Sequence, residues 1–354
     1  MACETSESQP FDFPYNGLRM MISRLLLALS MMLAPALAQE APVAPPQPPD
    51  MSKVPWSPVR RNPKSGQPAA QSESTISVNV KLVNILASVA DADGTPYSAL
   101  KKEDFRIFED GVEQKLSVFD RESELPLSIV VALDTSMSTR KDLPLEIASA
   151  RRFTHAIIRP MDAISLYQFS TYVSLVQSFT NDERSIDAAL TRLRTGAATA
   201  LYDAIYLGAQ ALEKRQGRKV LVLITDGGDT ASKTDYKEAL RAAQISEALI
   251  YSIIMVPIEA DAGRDTGGEH ALIQLSMDTG GKYFYATSTS QLDDAFRKIS
   301  DELRTQYLLA YYPIKRVGGE FRRISVDITA DARQHANREL VVRHRAGYYN
   351  SKIE

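Results

Sequence analysis

Leu127-Ser-Ile-Val-Val-Ala-Leu-Asp134-Thr-Ser136-Met-Ser138 decides how the rest of the chain is read. Its first seven residues are almost all apolar, as expected of a strand covered on both faces in a parallel sheet. It then ends in one carboxylate and two hydroxyls, spaced two residues apart. In an open α/β sheet, ligands bind beyond the carboxyl ends of the strands, so Asp134, Ser136 and Ser138 fall where chemistry is expected. All three carry hard oxygen donors, which suit magnesium, manganese or calcium. Two later segments share the pattern. Gly196-Ala-Ala-Thr199-Ala-Leu-Tyr-Asp203 places a threonine just before a helical run, and Lys219-Val-Leu-Val-Leu-Ile-Thr-Asp226-Gly-Gly-Asp229 ends a second buried strand in an aspartate.

Outward from these segments, strands and helices alternate. Ile147, Ala150, Phe153 and Ile157 recur at helical spacing. Residues 162–169 and 172–179 read as two strands separated only by Ser170 and Thr171, which makes an antiparallel hairpin, since a parallel pair needs a long crossover. Helices are expected near 182–193, 201–215 and 234–247, with strands at 219–225, 249–256 and 281–287. A last helix starts at Ser290 with a capping box to Asp293 and presents Leu292, Phe296, Ile299 and Leu303 on one face. The pattern predicts an α/β domain over 126–307, a doubly wound, mostly parallel sheet.

The flanks are different. Residues 75–124 read as strands, at 77–86, 105–108 and 114–119, with the last two flanking the hairpin signal Asp110-Gly111. Residues 308–354 contribute further strands at 321–328 and 340–349. Either set alone is too small to be stable. The simplest expectation is one small β-sandwich built from both, with the α/β domain inserted in it.

The N-terminal region carries an export signal. Met20-Met-Ile-Ser-Arg24, an apolar run to Leu33 and Ala34-Pro-Ala36-Leu-Ala38 make a signal peptide, with cleavage after Ala38 and a true start at Met20 or Met21. Residues 1–38 are therefore leader and signal. Residues 39–74 are a proline-rich disordered linker that includes Trp56. Cys3 is the single cysteine and precedes the cleavage site, so the mature protein has no intrachain disulfide. The apolar run is too short for a comfortable membrane span, so no transmembrane anchor remains after cleavage. The product is exported, to the periplasm or beyond. A net charge of −3, with both signs scattered, lacks the basic face of a nucleic-acid binder. The sequence sets no oligomeric state.

Asp134-x-Ser136-x-Ser138, Thr199 and Asp226, in that order, resemble the metal-ion-dependent adhesion site of von Willebrand factor A-like domains. The resemblance implies that Ser136, Ser138 and Thr199 touch a divalent ion, Mg2+ or else Mn2+ or Ca2+. It further implies that Asp134 and Asp226 hold the ion largely through water, with one position open to a partner. Ala197 and Ala198 depart from the family, which commonly has glycines there; a loop needing positive φ would be strained by them. Over about residues 75–350 the chain is also similar to exported VWFA-related proteins described from Acidobacteria. That likeness rests on Phe105 to Gly111 (Phe-x-Ile-Phe-Glu-Asp-Gly), Gln306 to Pro313 (Gln-Tyr-x-Leu-x-Tyr-Tyr-Pro) and Gly347-Tyr-Tyr349.

The chemistry reads as binding rather than catalysis. Asp134-Thr-Ser136 is similar to the start of the haloacid-dehalogenase phosphatase motif, but their second aspartate is a serine here. Ser136 has no Gly-x-Ser-x-Gly elbow, and no glycine-rich phosphate loop follows the strand. His155, His270, His335 and His344 lack zinc spacing and read as structural or solvated. A divalent ion with neutral hydroxyls nearest it keeps much of its field, and its open position favours an Asp or Glu of a partner protein. The expected function is an exported, metal-dependent protein-binding or adhesion module. The alternative is a scaffold subunit of an envelope assembly that does not use its metal. Asp203 and Asp229 either orient the metal loops or serve as helix-start and turn residues. The acidic stretch 257–269 reads as a solvated loop.

Overall fold

The structure, a computed structural model, describes residues 82–121, 124–256, 266–314 and 321–349. The leader, signal and linker expectations, the start of the first strand and most of the acidic loop lie outside these residues. Four strands precede the apolar stretch: β1 (Val83–Asp91), β2 (Phe105–Glu109), β3 (Val112–Gln114) and β4 (Leu116–Arg121). The stretch itself is β5 (Leu127–Asp134), followed by α1 (Leu143–Ile157), β6 (Ala163–Phe169), β7 (Val173–Thr180), α2 (Glu183–Leu190) and α3 (Leu201–Glu213). Then come β8 (Arg218–Thr225), α4 (Tyr236–Ser246), β9 (Leu249–Met255), α5 (Thr266–Thr279), β10 (Lys282–Ala286) and α6 (Thr289–Arg304). The chain closes with β11 (Tyr307–Tyr311), β12 (Phe321–Ile328), α7 (Ala330–Ala336), β13 (Leu340–Arg343) and β14 (Gly347–Tyr349).

The α/β expectation holds. Six strands form one sheet in the order β10-β9-β8-β5-β6-β7, all parallel except the edge strand β7, which turns back on β6 as the two-residue spacing requires. Every residue of β5 is buried, because both faces are covered. Ile129, Val131 and Leu133 pack in one layer with Phe153, Ile186 and Phe296 of α1, α2 and α6. Val130 and Ala132 point the other way, into a layer with Leu201, Ala239 and Leu272 of α3, α4 and α5.

The flanking strands form two antiparallel sheets, β13-β1-β11-β4 and β14-β12-β2-β3, whose inner faces share one core. Ile85, Tyr307 and Tyr311 come from the first sheet; Ile107, Ile324 and Val326 come from the second. Each sheet therefore contains two N-terminal and two C-terminal strands, alternating in the first sheet and meeting at the β12–β2 pair in the second. Arg121, at the end of β4, pairs with Tyr307, at the start of β11, so the α/β domain leaves and re-enters the sandwich between neighbouring strands.

Three sequence patterns that are far apart in the chain meet inside this sandwich. The Glu109 carboxylate accepts hydrogen bonds from Tyr311 Oη at 2.6 Å, Tyr348 Oη at 2.9 Å and Arg322 Nη1 at 2.7 Å. Glu109 and Arg322 are both buried, and burial together with the Glu109 carboxylate drives both tyrosine hydroxyls up from their ordinary pKa. Glu109, Tyr311 and Tyr348 each belong to one of the patterns Phe105–Gly111, Gln306–Pro313 and Gly347–Tyr349, which gives the patterns a common physical role.

Three local expectations need correction. The run 114–119 is not one strand: β3 pairs with β2 across the positive-φ turn Asp110-Gly111, and the chain then crosses to the other sheet as β4. The last α/β helix is capped by Ser288, whose side chain accepts from Gln291 N, rather than by Ser290. A helix not expected from the sequence, α5, lies between β9 and β10.

Candidate cation site

The chain passes from β5 to β6 on one side of the sheet and from β8 to β9 on the other, so strand order reverses between β5 and β8. Asp134 ends β5 and Asp226 follows β8, which places both carboxylates at this topological switch point. The loop after β5 is folded back on itself. Thr139 Oγ1 lies 3.1 Å from the carbonyl oxygens of Asp134 and of Ser136, and Thr135 N donates to Phe169 O on β6 at 2.8 Å.

Asp134 is fully buried. Its Oδ1 accepts from Ser136 N at 2.9 Å and its Oδ2 from Thr225 Oγ1 at 2.7 Å. Loss of water pushes its pKa up to about 6; the hydrogen bonds from Thr225 and Ser136 oppose this, and the Asp226 charge adds to it. Ser136 Oγ and Ser138 Oγ lie 3.0 Å apart, and Ser138 Oγ donates to Asp226 Oδ1 at 3.1 Å. Burial raises Asp226 as well. Ser138 is exposed and Asp226 half-buried, so this run of oxygens opens to solvent at one end.

Thr199 comes from a third loop that is tied to the other two by its backbone. Gly196 N donates to Thr135 O at 2.7 Å, Ala200 N to Ser170 O at 2.7 Å, and Thr199 N to Thr230 Oγ1 at 2.9 Å. Among the described residues no hydrogen bond joins the Thr199 hydroxyl to the other four side chains, which do form a connected set. Neither Ala197 nor Ala198 has a positive φ, so these alanines do not strain the loop. The close approach occurs at Gly196, where an added Cβ would sit 2.2 Å from Ser170 Oγ.

Asp203 and Asp229 both bridge the loop after β8 and the start of α3. Asp229 accepts from Tyr202 N at the start of α3 and from Ser232 N and Oγ; Asp203 accepts from Lys233 N and Thr234 N. These bonds fasten the loop after β8 to the start of α3, next to Thr199. Two of the histidines have fixed partners: His155 pairs with Asp187, while half-buried His344 accepts from Val326 N through Nε2.

Glu146 was not anticipated as a site residue. It lies on the inward stripe of α1 with Leu143, Ala150, Phe153 and Ile157, and it is 0% exposed. Neither carboxylate oxygen has a hydrogen-bond partner among the described residues. Burial, reinforced by the charges of Asp134, Asp226 and Asp142, pushes its pKa up to about 9. The only signal in the sequence is a glutamate one turn before Ala150 on the apolar stripe.

Among the described residues no three His, Cys, Asp or Glu side chains cluster closely enough to hold a metal by themselves. The set here leans on hydroxyls instead. Its carboxylates are desolvated, burial being the largest cause of the upward shift in each, and among the described residues none of them is ion-paired to a Lys, Arg or His. Hard oxygen donors with unoffset buried negative charge fit a divalent cation.

Residues 129–229, from β5 to the loop after β8 of the six-stranded domain, match the family model described as von Willebrand factor type A domain. No curated protein matches the chain. Among solved structures, the chain is similar to the PilB minor pilin from Streptococcus sanguinis, at 15% identity and a TM-score of 0.41 over 51% of this chain and 62% of that one. It is also similar to the conserved hypothetical protein BatB from Bacteroides thetaiotaomicron, at 20% identity and a TM-score of 0.41 over 51% of this chain and all of that one. A third is the pilus adhesin SpaC from Lactobacillus rhamnosus GG, at 13% identity and a TM-score of 0.42 over 56% and 34% respectively. The chain thus spans less than two thirds of the two pilus proteins. Among the described residues no helix is long and apolar enough to cross a membrane.

Proposed function

We propose that this protein is an exported protein-binding or adhesion module that works through a divalent cation. Mg2+, or Mn2+ or Ca2+ in its place, would be held by Asp134, Ser136, Ser138, Thr199 and Asp226. Bound there, the ion supplies a positive field with a free position for an anionic oxygen, which an Asp or Glu of a partner protein fills. The single observation behind this reading is the hydrogen-bonded run Ser136–Ser138–Asp226 beside Asp134, open to solvent at a switch point, with no cationic side chain ion-paired to its carboxylates among the described residues.

The rim suits a protein partner. Met137, between the two serines, is 59% exposed, and Tyr172, next to the Ser170–Thr171 turn that holds the Thr199 loop, is 75% exposed. Apolar and aromatic groups around a charged centre are typical of protein-binding surfaces. A type A domain is a protein-interaction module in the coarse sense; use of the cation, export and similarity of the flanks to the VWFA-related proteins are parts of this proposal. Retention of envelope proteins on immobilised full chain tests it. Binding that is lost in chelator and in Ser138→Ala, and restored by millimolar Mg2+, is expected. Retention indifferent to both treatments would favour a scaffold role in which the metal is unused.

A further inference from the structure

We propose that Glu146 supplies a third carboxylate to the cation site, acting on the ion together with Asp134 and Asp226. The inference rests on the cation reading above and extends the site to a helix that none of its motifs includes. Three observations carry it. Glu146 sits on the sheet-facing stripe of α1, between Leu143 and Ala150, where an apolar side chain would serve the core better. It is wholly buried, and both of its oxygens are unpartnered among the described residues. It lies in the first turn of α1, which follows directly on the turn Ser138–Lys141 at the site, and the charges of Asp134 and Asp226 bear on it.

A buried carboxyl with no partner is destabilising in general, and removal of the group would relieve it. Nothing else among the described residues offsets Glu146. A divalent ion at the site does so through a bound water, because the three carboxylates do not cluster closely enough to hold it directly. Supporting carboxylates of this kind typically change metal affinity by about 10- to 100-fold. A purely structural Glu146 would behave differently, because its replacement would alter folding stability without touching the ion.

The test compares the wild-type full chain with Glu146→Gln, Glu146→Leu and Asp134→Ala. Free Mn2+ is measured by electron paramagnetic resonance, and thermal midpoints are recorded in chelator and in millimolar Mg2+. Glu146→Gln should weaken Mn2+ binding by about tenfold or more. Glu146→Leu should melt higher than wild type in chelator yet lose the upward shift that Mg2+ gives wild type. Should Glu146→Leu fail to fold, Glu146→Gln, which keeps the shape, decides the matter. Mn2+ affinity in Glu146→Gln equal to or tighter than wild type overturns the role of Glu146 and leaves the five-residue site standing. No Mn2+ binding by folded wild type overturns the cation reading itself, and this inference with it.

Discussion

At the scale of the residue, the site is defined by carboxylates held where water is scarce. Asp134 is held at about 6 and Glu146 at about 9, both above the ordinary carboxylate range. A carboxyl whose pKa is raised by folding binds its proton more tightly in the folded state than in the unfolded one. Its stabilising contribution is complete below the unfolded value and is lost as pH rises through the folded value. Cation-free protein should therefore lose stability from roughly pH 4 upward as Asp134 ionises, and again toward the Glu146 value. The Asp134 step corresponds to about 3 kcal/mol. Thermal scans in chelator should show a lower midpoint at about pH 8 than at about pH 5, with a smaller gap in Asp134→Asn. Millimolar Mg2+ should restore the midpoint at the higher pH, because an ion bound only to the folded state stabilises it. A midpoint in chelator that is flat or rising over this range would contradict the assignment of buried, unoffset carboxylates.

At the scale of the element, loop geometry decides whether Thr199 reaches the site. Gly196 approaches Ser170 too closely for a side chain, whereas Ala197 and Ala198 have ordinary backbone conformations. Gly196→Ala should displace the loop at a cost of about 1–3 kcal/mol, as overpacking does, and weaken Mn2+ binding. Ala197→Gly with Ala198→Gly should not improve binding and should cost about 0.4–1 kcal/mol through the freer unfolded chain. Tighter binding in that double variant would mean that the alanines do impair the site. Elements of strong period were legible in the sequence: the unbroken apolar runs of β5, β8 and β9, and the short turn between β6 and β7. α5 was not legible, because its inward stripe mixes Leu272 and Leu275 with Glu269, Ser276 and Thr279. Ser276 bonds to Ser252, and Thr279 Oγ1 accepts from Ile250 N while donating back to Leu275 O, so hydrogen bonds to β9 replace the apolar contacts that periodicity detects. Glu146 was hidden for the converse reason, as a charged residue on a stripe read only for its apolar members. The split of 114–119 at Lys115 was invisible because both halves alternate as strands do, and only the partner sheets tell them apart.

At the scale of the whole molecule, the N-terminal and C-terminal strands depend on each other. Glu109 from β2 meets Tyr311, Arg322 and Tyr348 from β11, β12 and β14, and the sandwich core draws on both ends of the chain. Glu109→Ala should cost about 3–5 kcal/mol, since it leaves the Arg322 guanidinium buried without its partner. Residues 75–124 alone should stay unfolded, and dispersed amide signals from that piece would contradict the shared sandwich. At the switch point of the inserted domain lies the proposed cation site, where cation and partner should bind with reciprocal coupling, each tightening the other. The coupling depends on the ion. Calorimetry on the full chain, titrated with Mg2+ or Mn2+ up to millimolar concentration, therefore bears most directly on the site. One saturable binding event is expected in wild type, with none in folded Asp134→Ala, which removes a charge beside the ion while leaving the strand apolar. No heat from wild type that is shown to be folded, or equal heat from Asp134→Ala, would contradict it.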